Sequence, residues 1–94
     1  MADPREELLR EVSIGLQAET FLGSDVGKYL VSRAEGERDA ALDELKTVNP
    51  NDPEAIMELQ AKVWRAESVQ TWIAELIQAG WNAEGLIGQM DSTD

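Results

Sequence analysis

From Ile56 onward one seam recurs every three or four positions, apolar or small except at Gln70: Ile56, Leu59, Val63, Ala66, Gln70, Ile73, Ile77 and Gly80. That spacing closes on one face only at 3.6 residues per turn, so the segment is a helix and not a strand. Val69, Trp72 and Leu76 widen the seam into a broad apolar face. Upstream, NPNDP at 49–53 is the plainest turn: Pro50 stops one helix, Asp52 caps the next and Pro53 opens it. Two long helices joined by five residues are expected to pack antiparallel.

The helix before that turn is expected over 24–47. Ser24 is read as its N-cap with Asp25 in the first turn, and its stripe is Val26, Leu30, Ala34, Ala41, Leu45 and Val48. The stripe thins to charge in EGERDA, around Gly36. A first helix over 3–22 starts at Asp3 and Pro4, with Glu6 completing a capping box, and carries Leu8, Leu9, Val12 and Leu16 to Gly23. Gly80 is read as ending the third helix, 52–79, and Asn82 as capping a fourth, 82–90, with Leu86, Ile87 and Met90 on one face before a polar DSTD tail. The expected fold class is all-α: one domain over 1–94, an antiparallel hairpin with an N-terminal helix and a short C-terminal helix, three-helix-bundle-like.

Opposing Leu45 to Ile56 sets a register in which Leu42 faces Leu59, Ala34 or Glu35 lies near Ala66 and Val31 near Gln70. The first helix then returns along the hairpin, and its leucines are expected to cover Trp64, Met57 or both. Gln70, the only polar seam residue of the third helix, lands beside the segment bearing Lys28 and Tyr29. A buried Tyr29–Gln70 hydrogen bond is one reading, since an unpartnered buried amide costs about 1–3 kcal/mol. The other is a small ligand pocket lined by Ser24, Lys28, Tyr29, Arg33, Gln70 and Trp72, where a helix N-terminus favours an anion and aromatic rings offer stacking.

Composition narrows the chemistry. The 94 residues include neither cysteine nor histidine. Thiol nucleophiles, disulfides, ordinary zinc sites and Ser-His-Asp triads are therefore excluded, and no catalytic residue, metal ligand or cofactor is assigned. GSDVGK is no Walker A loop, because its glycines are too close and Asp25 would repel phosphate. NPNDPEAIMELQ fails as a calcium loop, with Gln60 where a bidentate glutamate is needed. The net charge of −11 arises from 19 acids against 8 scattered bases, which disfavours direct DNA or RNA binding. It fits a solvated helical surface, or mimicry of a polyanion. No apolar run approaches a membrane span, and MADPREELL offers no apolar core of a secretory signal, so a cytoplasmic location is expected, the chain's own cell or an infected one.

Three tryptophans are many for such a chain. Trp64 and Arg65, with Trp81, Leu86, Ile87 and Met90, form the expected partner interface, and a homo-oligomer is expected because small chains bury surplus apolar surface by pairing.

Three pieces, FLGSDVGKYLVSRAEGER, NPNDPEAIMELQ and RAESVQTWIAELIQAG, together spanning most of Phe21 to Gly80, resemble small acidic proteins of tailed bacteriophages and prophages. The resemblance implies a viral source and supplies no catalytic residue. With it, the expected function is a non-catalytic module that counters a host system by binding a host protein or sequestering a nucleotide-like ligand. The alternative is a virion or assembly component that acts through helix–helix contacts.

Overall fold

The structure is a computed structural model that describes residues 3–92. It is all-α, with three helices and no strand among the described residues: α1 (Pro4–Gly23), α2 (Asp25–Thr47) and α3 (Pro53–Asp91). Thr93 and Asp94 of the expected polar tail lie outside the described residues.

The helix starts follow the cap chemistry. The Asp3 side chain accepts from the Arg5 amide at 3.0 Å and Pro4 occupies the first turn. At the corner, the Asn49 side chain accepts from the Asn51 amide at 2.9 Å, and Asp52 accepts from the Ala55 amide at 3.1 Å. The Asp3 and Asp52 contacts each pair a helix-terminal N–H that would otherwise go unbonded. Ser24, in extended geometry, donates both its amide and its hydroxyl to the Phe21 carbonyl, closing α1.

Two compact units divide the chain. One contains α1 through Ser24 and the part of α3 from Trp72 onward, and the other runs Asp25–Thr71. Each unit is built on a pair of helices.

In the first unit α1 runs antiparallel to the end of α3, since Arg5 pairs with Asp91 and Gly15 meets Gly80. A Cβ placed on Gly15 would fall 3.0 Å from the Gly80 Cα and 3.1 Å from the Leu76 carbonyl oxygen. Ala18 and Ala83 are buried on the same contact. The expected helix break at Gly80 is corrected here. No described glycine has positive φ, and α3 continues unbroken to Asp91, so there is no separate fourth helix. A helix-interior glycine costs only about 1 kcal/mol relative to alanine, and this one makes room for a second backbone. Asn82, expected as a cap, instead accepts from the Gln78 side chain one turn back, at 3.0 Å.

In the second unit α2 and the first part of α3 form the expected antiparallel hairpin around Ala41, Leu59 and Ala66, all buried. One expected pairing differs: Leu42 is exposed, and Ala41, a member of the expected stripe, is buried and lines a groove with Leu59. Trp64 and Met57, expected to lie under α1 leucines, are 69% and 67% exposed.

Candidate functional site

Along one edge of the second unit, α2 and α3 leave a groove of about 200 Å³. Glu37, Ala40, Ala41 and Glu44 come from α2, and Leu59, Lys62 and Arg65 from α3. Residues three or four apart share a helix face, so 37, 40/41 and 44 line one wall while 59, 62 and 65 line the other. The floor is small and apolar: Ala41 and Leu59 are buried against each other's helices. The walls are opposite in sign, carboxylates on α2 and cations on α3.

Arg33 reaches Glu37 at 3.7 Å across one turn, with both side chains exposed. That is a loose pair, worth well under 1 kcal/mol at such a surface. Other cations are engaged more closely, Arg38 with Asp39 and Lys46 with Asp43, each at 3.2 Å. Among the described residues no three carboxylates gather to hold a metal ion.

The residues expected to line a ligand pocket divide between the units. Ser24 and Trp72 fall in the first, and Lys28, Tyr29, Arg33 and Gln70 in the second. Lys28, Tyr29 and Arg33 are exposed on α2. The expected Tyr29–Gln70 hydrogen bond is absent. The Gln70 Nε2 is buried with no partner, and Tyr29 is 62% exposed. Helix geometry explains the miss. Tyr29 stands twelve residues before Ala41, about 120° around α2 from the face that meets α3.

The expected partner-interface residues are largely at the surface. Trp64, Trp81, Leu86 and Met90 are exposed, Arg65 lines the groove just described, and Ile87 is half-buried. Trp72, read from sequence as a pocket residue, is exposed as well. The Trp81 indole N–H donates to the Glu19 carboxylate at 2.8 Å, which fixes the ring against α1 while its face stays open. Beside it, α1 presents Leu9, Val12 and Leu16 around a shallow depression whose remaining lining, Ser13, Gln17 and Thr20, is uncharged.

Sequence reasoning singled out Arg65 but not Glu37, Glu44 or Lys62 as site residues. The signal was available: E-x-x-x-x-x-x-E on α2 and K-x-x-R on α3 each place their charges along one helix flank. Only the packing of the two helices brings those flanks together.

Comparison with family models, with curated proteins and with solved structures finds no match. The site chemistry alone therefore carries the functional argument. Among the described residues, no helix is long and apolar enough to cross a membrane.

Proposed function

We propose that this chain is a binding module that works by protein–protein contact, with exposed tryptophans as its anchors. One observation supports the reading: Trp64, Trp72 and Trp81 are 69%, 59% and 56% exposed, while the buried apolar residues among those described are four alanines and Leu59. A folded chain normally puts its largest apolar side chains inside and its small ones wherever they fit. Here the order is reversed. Tryptophan is the residue most enriched among the few side chains that dominate binding energy at protein interfaces.

With the resemblance to phage proteins, the proposed partner is a host protein and the proposed outcome interference with its work. A second reading, an assembly component acting through helix–helix contacts, draws on Trp81, Leu86 and Met90, all exposed in one unit. Sequestration of a nucleotide-like ligand draws less support, because its cations Lys28 and Arg33 are solvent-exposed and Arg33 already has Glu37 beside it.

The test replaces Trp64, Trp72 or Trp81, one at a time, with a photo-cross-linking amino acid in producing cells. Exposed Glu54 serves as the control position. A discrete adduct with a different protein at one or more tryptophan positions, absent at Glu54, is the expected result. Adducts that are missing at all three positions, or equal at Glu54, would remove the proposal.

A further inference from the structure

The groove between α2 and α3 in the second unit has a property that the exposed tryptophans lack: it is complementary to itself. Its α2 wall carries Glu37 and Glu44, its α3 wall Lys62 and Arg65, and its floor is Ala40, Ala41 and Leu59. Those four charges cancel, on a chain whose net charge is −11. Arg33 and Glu58, one of each sign, flank the walls. Two copies of so acidic a chain repel, and their repulsion is least where a patch carries no net charge. From the charge arrangement we infer that this groove is the contact face between two copies of the chain, related by a two-fold axis parallel to α2 and α3.

The axis follows from symmetry. A closed dimer interface is isologous, so each wall meets a wall of the partner. Face-to-face docking of a two-helix edge allows two such axes. An axis across the helices puts α2 on α2, carboxylates against carboxylates. An axis along the helices puts the partner's α2 over α3 and antiparallel to it, acids over bases, twice by symmetry. With the groove centred near Ala40 and Ala41 on α2 and Lys62 on α3, the partner's Glu37 lies level with Arg65. The partner's Glu44 lies level with Glu58 and about one turn, roughly 5 Å, from Lys62, so it must reach toward the lysine side chain to pair. The alanines at the floor let the helices approach closely enough for the charges to meet.

Charge-reversal pairs test this in purified protein, by sedimentation equilibrium across a concentration series with circular dichroism as the folding control. Wild type is expected to dimerise. Glu37→Lys/Glu44→Lys is expected to weaken the dimer at least tenfold, although it lowers the net charge from −11 to −7 and so relieves general repulsion. Lys62→Glu/Arg65→Glu is expected to weaken it at least as much. An equimolar mixture of the two variants is expected to restore association, since each then offers the wall that the other needs. A monomeric wild type, unweakened variants, or a mixture no tighter than its components would overturn the inference. The cross-linking test of the tryptophans reads a different partner through different residues, so either proposal can fail while the other stands.

Discussion

Gly15 and Gly80 face each other so closely that neither has room for a methyl group. A Cβ on Gly15 would lie 3.0 Å from the Gly80 Cα, and a Cβ on Gly80 3.1 Å from the Gly15 Cα and 3.2 Å from the Glu11 carbonyl oxygen. These neighbours are backbone, which cannot swing aside as a side chain can. Gly36 is the contrast: mid-helix in α2, it has nothing within 4 Å of where a Cβ would stand. Alanine relieves the entropic cost of any helix-interior glycine by about 1 kcal/mol. At Gly15 or Gly80 that gain is outweighed by overpacking, which costs about 1–3 kcal/mol. Thermal denaturation is therefore expected to show Gly36→Ala raising stability by about 0.5–1 kcal/mol. Gly15→Ala and Gly80→Ala should each lower it by about 1 kcal/mol, a shift of several degrees in Tm for a chain of this length. Three substitutions of the same sign would mean that the close crossing does not exist.

At the scale of elements, the ends of the helices were legible and their contacts less so. Asp3-Pro4, Gly23-Ser24 and the NPNDP corner carry caps and prolines whose effect is local, so α1 and α2 were placed within a residue of their observed limits. The end of α3 was missed because a glycine at a helix stop and a glycine at a helix crossing look alike in sequence. Only the partner, Gly15 on a distant segment, tells them apart. The candidate groove was hidden for a similar reason. The stripe places Ala41 on the core face, but only the packed helices show that Glu37 and Glu44 beside it share a groove with Lys62 and Arg65. One contact that ties an early element to a late one is directly testable. Arg5 Nη1 donates to the Asp91 carboxylate at 2.7 Å, joining the first turn of α1 to the last of α3. This hydrogen bond, more than the charge beside it, holds the Asp91 pKa below the ordinary aspartate value. A carboxylate whose pKa is depressed by folding adds stability above its unfolded pKa and loses it as pH falls through the folded one. Both groups are open to water, so the effect on stability is small and the titration is the better readout. Carbon-13 NMR of the Asp91 carboxyl is expected to show a midpoint below that of an unpaired aspartate, returning toward it in Arg5→Gln. An identical midpoint in the two proteins would mean the pair is not populated.

For the whole molecule, the decisive pairing is a strongly negative chain with its indoles outside. The net charge of −11 creates a field that attracts cations and repels anions over roughly a Debye length, about 10 Å at 0.1 M salt. Tryptophans that are more than half exposed sit inside that field and in contact with solvent. Quenching of their fluorescence therefore reports exposure and charge separately. Neutral acrylamide should quench most of the emission, as it does for indoles open to water. Caesium should quench more strongly, and iodide more weakly, than each does for a free uncharged tryptophan derivative at the same low ionic strength. Raising the salt to about 1 M contracts the Debye length to about 3 Å and should bring both ions back to the reference. Trp81, bonded to the Glu19 carboxylate, should keep the largest preference for caesium when it is the one tryptophan left in place. Weak acrylamide quenching at concentrations where the chain is monomeric would show the indoles covered within the chain, and the anchors of the proposed binding surface would be lost. An ion preference that survives high salt would trace instead to the immediate surroundings of each ring, because screening removes the long-range field and leaves contact interactions in place.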